Sequence, residues 1–297
     1  MKSINDTYTL SNGLQIPCLG FGTFNPNGGD NEKLIQTAIE AGYRYFDTAS
    51  IYGTECALGR AIKESSLARE EFFIASKVWI DEMGYEQTKQ AFERTLNRLQ
   101  TDYLDLYLIH WPRRVEGDAD WKEADRETWR AMEELYAEGK IKGIGLSNFL
   151  PHHLDNILDN CKVRPIVNQL EVHPGYSQEA AAAYCKSRDI VVQAWSPLGR
   201  SNVLQHPILC NMAQKYNKSV AQLCLRFLLQ KQIIPLVKAS SPERMKENMD
   251  IFDFEISAED ISILEYMPQD MWQKEHPDLL FQRQRAILIN KKGERTV

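Results

Sequence analysis

Four residues in the first half of this 297-residue chain have side chains suited to moving a proton: Asp47, Tyr52, Lys77 and His110. A tyrosine has an unperturbed pKa of about 10, too high for efficient proton transfer near neutrality. A neighbouring ammonium would lower it by stabilising the phenolate, and Lys77 can supply that charge. A lysine buried alone tends to lose its proton; Asp47 would hold it charged, so the three form an acid–base unit. His110 could hydrogen-bond a substrate oxygen. Taken one at a time, each has an ordinary reading: a tyrosine packed in a turn, a structural Lys–Asp pair, a satisfied histidine before Trp111-Pro112. Together they point to an acid–base site and leave its reaction open.

A second constellation lies at Lys238-Ala239-Ser240-Ser241-Pro242-Glu243-Arg244. Ser241 reads as a helix N-cap and Pro242 as the first helical residue. Arg244 then falls in the first turn, where the helix dipole disfavours a cation. A phosphate held between Arg244, Lys238 and free backbone N–H groups would resolve the conflict. An ion pair with Glu247 would resolve it equally well. No Gly-x-Gly-x-x-Gly or Walker-type loop is present, since Gly20-Phe21-Gly22 lacks a third glycine.

The elements that must position these residues alternate along the chain. Apolar runs at 17–22, 43–47, 72–77, 105–110, 142–147, 164–169, 190–195 and 233–238 suit parallel strands buried on both faces. Between them lie amphipathic patterns: Leu34, Ile35, Ala38 and Ile39 form one stripe, stopped by Gly42, and Phe92, Leu96 and Leu99 another. Ser177 and Ser257 read as N-caps of later helices. Eight strands alternating with helices predict one α/β domain over 1–297, a (β/α)₈ TIM barrel, with a doubly wound open sheet as the rival. The polar residues decide between them. Asp47, Lys77, His110, Ser147-Asn148, Gln169, Ser196 and Lys238 all fall at the C-terminal edges of apolar runs. A closed barrel gathers those edges on one face, whereas an open sheet spreads them along a line.

Composition narrows the class. The net charge of −6 argues against a nucleic-acid partner. No apolar stretch approaches the roughly 18 residues needed to span a bilayer, and the first residues lack the apolar core of a signal peptide. Six scattered cysteines without a Cys-x-x-Cys pair read as reduced thiols, not as a zinc site or disulfide framework. A cytoplasmic protein is expected.

Several segments also resemble, in order, the signatures of the aldo-keto reductase superfamily. They are Leu10-Ser11-Asn12-Gly13-Leu14-Gln15-Ile16-Pro17, Gly42 through Ala49 with Tyr52-Gly53, Gly143 through Phe149, Asn168-Gln169, and Lys238 through Asn248. The resemblance implies a barrel plugged by an N-terminal β-hairpin, and metal-free hydride transfer between NADPH and a carbonyl. It makes Tyr52 the general acid, with Lys77 and Asp47 lowering its pKa and His110 orienting the carbonyl. It assigns Ser147, Asn148 and Gln169 to the nicotinamide carboxamide, and Thr23 to its ribose. Ser196 and Leu198 fall to the pyrophosphate, Lys238, Ser240 and Arg244 to the 2′-phosphate, and Glu247 and Asn248 to the adenine. That reading accounts for the misplaced arginine and favours NADPH over NADH.

Three departures stand out. Trp195 replaces the tyrosine common in Ala-Tyr-Ser-Pro-Leu, keeping a π face for the nicotinamide. Val237-Lys238-Ala239 replaces Pro-Lys-Ser. The excursion after His110 is short (113–124), and the tail beyond Met267 is unlike forms the resemblance covers. That tail, 268–297, is expected over the active-site face. Phe24, Ile51, Trp79, Trp111 and the tail residue Phe281 are expected to line an aromatic substrate pocket. The short loop resembles bacterial members acting on keto-sugar acids, methylglyoxal or general aldehydes. A monomer is expected, with a small carbonyl compound as its partner. An NADP-binding regulatory subunit with little turnover is one rival; a lyase using Lys77 as a Schiff-base amine is the other.

Overall fold

A computed structural model of the chain describes residues 1–26, 28–113, 118–273 and 275–279. A two-stranded antiparallel hairpin comes first, β1 (Thr7–Thr9) and β2 (Gln15–Pro17). Eight parallel strands follow: β3 (Gly20–Gly22), β4 (Tyr45–Asp47), β5 (Phe73–Val78), β6 (Leu106–Ile109), β7 (Ile144–Ser147), β8 (Val167–Glu171), β9 (Val191–Trp195) and β10 (Ile234–Val237). They pair in sequence order and close through β10 on β3. The open-sheet rival is thereby excluded. The apolar run at 17–22 serves two elements: Pro17 ends the hairpin, and Gly20 begins the barrel.

The connecting helices are α1 (Asn31–Ala41), α2 (Glu55–Glu64), α3 (Tyr85–Leu99), α4 (Trp121–Ala137), α5 (Pro151–Leu158) and α6 (Glu179–Lys186). Then come α7 (Pro207–Lys215) and α8 (Val220–Gln230), both between β9 and β10, and lastly α9 (Pro242–Met249) and α10 (Ala258–Glu265). Local chemistry sets several of their ends. Asp30 accepts the Lys33 N–H at the start of α1, and Gly42 closes it at φ 114°, a left-handed conformation that favours glycine. Ser257 caps α10 through the Asp260 N–H. Ser177 is different: Gln178 occupies the N-cap of α6, and Ser177 gives its N–H and hydroxyl to Gln269 Oε1. A tail contact has taken the group that the sequence offered to the helix.

Packing forms two layers. Inside the barrel, Tyr45, Phe73, Ala75, Leu106, Leu108, Val167, Ile234 and Leu236 are buried together with Leu10 and Ile16 of the hairpin, which seals the bottom. Outside it, Phe46, Ile74, Tyr107 and Leu146 meet the apolar faces of the helices, including Ile35, Ala38, Phe92 and Leu99. Alternate residues of each strand thus serve opposite cores. Gly59 lets α2 approach α3 closely, since a Cβ there would stand 2.5 Å from the Leu99 carbonyl oxygen. None of the six cysteines is in a disulfide. Among the described residues no helix is long and apolar enough to cross a membrane.

Candidate active site

The ends of β4 and β5 bring Asp47 and Lys77 together inside the barrel mouth. Lys77 Nζ lies 2.5 Å from Asp47 Oδ1 and donates to the Thr48 carbonyl at 2.9 Å. Lys77 is fully buried and Asp47 nearly so. Burial pulls the lysine below its usual range, and the Asp47 charge opposes that. The other oxygen of Asp47 accepts from Gln169 Nε2 at 2.9 Å. Gln169 also donates to Gln193 Oε1, and Gln193 donates to the Tyr45 hydroxyl. Strand β8 runs on to Glu171, so Gln169 sits two residues inside its end and reaches into the barrel. Both of its amide hydrogens are engaged, leaving its oxygen as the group that can accept from another molecule.

Tyr52 ends a short 3₁₀ turn, Ser50–Tyr52, above this pair. Its hydroxyl lies 3.3 Å from His110 Nε2, and Lys77 Nζ lies 5.0 Å from the centre of its ring. Burial, reinforced by the charges of Asp47 and Glu275, pushes the phenol well above its usual range; Arg200 opposes. This reverses the expectation of a lowered pKa. The physical reason is that the phenol loses its hydration on burial, and the Asp47 carboxylate disfavours a second negative charge nearby. Burial, then the Lys77 charge, drives His110 well below its usual value and keeps the imidazole neutral. The site therefore presents a protonated phenol beside a neutral imidazole.

Around these two groups stand the aromatic residues. The Phe24 ring is 5.0 Å from Tyr52, and the Trp79 ring 4.9 Å from His110. Ile51 is half-buried next to Tyr52, and Trp111 buried next to His110. Among the described residues, Trp79 Nε1 and His110 Nδ1 are buried without a hydrogen-bond partner. Phe281 lies outside the described residues.

The next strand ends carry a polar chain. Ser147 donates to the Gln169 carbonyl at 3.0 Å, and Asn148 donates to the His110 carbonyl at 2.9 Å and to Ser147 Oγ. Trp195 Nε1 donates to Asn148 Oδ1 at 2.8 Å. A tyrosine at 195 would carry its polar atom at the far end of the ring, so this bond belongs to the tryptophan. Thr23 is buried, bonded to Thr54 Oγ1 and the Asp47 carbonyl. Leu198 is half-buried against the core. Asn148 and Ser196 have φ of 64° and 48°, and Arg200 and Ser201 have φ of 50° and 76°. Outside glycine such conformations cost about 1–3 kcal/mol and gather at functional sites.

At α9, Ser241 accepts the Arg244 N–H and Pro242 opens the helix, as the sequence indicates. Arg244 and Ser240 are exposed, and Arg244 makes no ion pair among the described residues. The Glu247 alternative is not realised: Glu247 is half-buried and Asn248 buried farther along the helix. Half-buried Lys238 donates to Asn25 Oδ1 at 3.1 Å, a neutral partner. Asn25 went unread in the sequence because nothing local links it to a residue 213 positions away. Gln193 had a signal: a polar residue two before Trp195 in a buried strand shares its face.

The described tail, 268–273 and 275–279, bonds to loops at the same end of the barrel. Gln273 N donates to Glu171 Oε1 and Gln273 Nε2 to the Gly199 carbonyl, while Glu275 pairs with Arg200. Asp278 Oδ1 is reached by Arg113 at 2.9 Å, His153 at 3.0 Å and His152 at 3.1 Å. His152, His153 and Asp278 have ligand-like spacing, but their bonding does not suit a cation. Nδ1 of His153 accepts the Leu150 N–H, so Nε2 carries the proton that it gives to Asp278. Arg113 already meets the same oxygen. The group is a clasp on the tail.

The sequence model of the Aldo/keto reductase family matches residues 18–267. The chain belongs to this family. The glyoxal reductase of Bacillus subtilis (strain 168) is 46% identical over 281 residues, covering 94% of this chain and 99% of its own length. Among solved structures, an aldo-keto reductase enzyme from a Medee basin deep-sea metagenome library superposes with a TM-score of 0.87 at 37% identity, over 93% of this chain and 100% of its own. A Bombyx mori aldo-keto reductase in complex with NADP gives 0.82 at 31% identity, over 93% and 95%. As an aldo-keto reductase the chain is an oxidoreductase. Its Lys77 amine, fully buried and held by Asp47 and Thr48, is no free Schiff-base nucleophile.

Proposed function

We propose that this chain reduces aldehydes and ketones to alcohols with NADPH, Tyr52 acting as the proton donor. The observation that carries the reading is the Tyr52 hydroxyl 3.3 Å from His110 Nε2, above a buried Lys77–Asp47 pair. The donor set fits the cofactor. Arg244 stands exposed at the first turn of α9 without an ion pair among the described residues, and Lys238 has only a neutral partner. Ser147, Asn148 and the Gln169 oxygen would hold the nicotinamide carboxamide, with Trp195 as the stacking face. Ser196, Leu198 and Thr23 would take the pyrophosphate and ribose, and Glu247 and Asn248 the adenine. The NADP complex of the Bombyx mori relative supports the cofactor.

When bound, NADPH supplies a hydride to the carbonyl carbon. His110, kept neutral, donates to or aligns the carbonyl oxygen as negative charge grows on it. Tyr52 gives that oxygen its proton, and the phenolate left behind faces the Lys77 ammonium across its ring. Phe24, Ile51, Trp79 and Trp111 exclude water and hold the substrate by apolar contact. The similarity to a glyoxal reductase supports small, uncharged aldehydes and dicarbonyls as the substrate class.

The test is NADPH oxidation with methylglyoxal and 4-nitrobenzaldehyde, on the parent chain and on Tyr52→Phe. Turnover by the parent and its near-abolition in the variant, with NADPH binding intact, is the expected result. Tight NADPH binding without turnover in the parent would instead favour a regulatory subunit. Wild-type turnover in Tyr52→Phe would remove Tyr52 from the role.

A further inference from the structure

The tail meets the loop after β9 at two points. Gln273 Nε2 donates to the Gly199 carbonyl at 2.8 Å, and Glu275 pairs with Arg200 at 2.9 Å. Glu275 is only 13% exposed in that pair. The Arg200 guanidinium lies 5.7 Å from the centre of the Trp195 ring, so the ion pair ties the tail to the aromatic residue that ends β9.

The backbone between these contacts needs holding. Arg200 and Ser201 occupy the left-handed region in succession, where residues other than glycine are disfavoured. A turn of that kind relaxes unless neighbouring contacts over-determine it. Here the tail supplies such contacts, and the tail is itself pinned on both sides. Gln273 N is held by Glu171 Oε1, and Asp278 is clasped by Arg113, His152 and His153.

We propose that Glu275 is a positioning residue for the cofactor: by holding Arg200 it keeps the loop 196–205 closed and slows the exchange of NADP(H). This rests on the NADPH reading above, in which Ser196 and Leu198, at the base of the same loop, take the pyrophosphate. Opening that loop requires breaking both the Arg200–Glu275 pair and the Gln273–Gly199 bond.

The experiment measures NADPH release from the full chain by stopped-flow fluorescence, with excess NADP⁺ as the chase. Glu275→Gln should speed release roughly three- to fivefold, the range for a partly exposed ion pair, and Glu275→Asp should fall between it and the parent. Gln273→Ala should shift release in the same direction. Asp278→Asn loosens the far end of the tail beside Arg113; it should alter the carbonyl KM while leaving NADPH release within about twofold. Unchanged or slower release in Glu275→Gln overturns the proposal. Equal acceleration in Asp278→Asn overturns it too, because general anchoring of the tail would then be the cause. A parent chain that binds NADPH with these failures leaves the proposed function standing, whereas one that binds none removes both.

Discussion

The Tyr52 hydroxyl lies 3.3 Å from Nε2 of His110, with the two ring planes at 78°. Burial acts on the pair in opposite senses, holding the phenol protonated and the imidazole neutral. Carbonyl reduction consumes the phenol proton, so kcat/KM for reduction should stay level from about pH 6 to pH 9. Alcohol oxidation needs the phenolate and should rise over the same range. A reduction profile that falls with a midpoint near neutrality would show a lowered phenol and contradict the burial argument.

Asp47 and Lys77 should be strongly coupled in stability. Asp47→Asn leaves a buried ammonium without its counter-charge and should cost about 3–5 kcal/mol in urea unfolding. Adding Lys77→Met to that variant removes the stranded charge and should recover part of the loss, though not activity. If the double variant is less stable than Asp47→Asn by the full cost of a second independent mutation, the two residues are not coupled.

Arg244 should separate the two nicotinamide cofactors. It is exposed at the first turn of α9 and forms no ion pair among the described residues, so its charge is available to a phosphate. Arg244→Ala should weaken NADPH by roughly tenfold or more and NADH little, measured by fluorescence titration. Equal losses for both would remove the 2′-phosphate assignment.

His153 makes a prediction about pH and stability. Its imidazole is fully buried and pushed down to about 3, chiefly by burial. In the unfolded chain it takes up a proton near its ordinary pKa of about 6.5, while the folded state does not. The unfolded state therefore binds more protons between those values, and stability falls as pH drops from about 6.5 towards 3, at up to about 1.4 kcal/mol per unit from this group. His110 adds to the same slope. His153→Gln should remove about one proton's worth of it; an unchanged slope would show that His153 titrates normally.

Much of the fold was legible because a parallel barrel writes itself locally. Each of the eight apolar runs overlaps a barrel strand, and Ile35, Ala38, Ile39, Phe92, Leu96 and Leu99 are buried, with Leu34 half-buried beside them. The corrections share one cause. Ser177 looked like a cap until Gln269 claimed it, and Gln169 looked like an edge residue until β8 proved two residues longer. Neither Asn25 against Lys238 nor Glu275 against Arg200 had any local mark, since both pairs join residues far apart in the chain.

By itself the sequence determined which side chains could do chemistry and that closing the strands would gather them at one end, because strand period and chain direction are local properties. Tertiary structure alone decided what those side chains are when gathered. Lys77 was expected to lower the phenol of Tyr52; with protein replacing water around the ring and the Asp47 carboxylate nearby, the phenol instead keeps its proton. Desolvation depends on everything packed around a group, and that is set only when the barrel, its loops and the tail have come together.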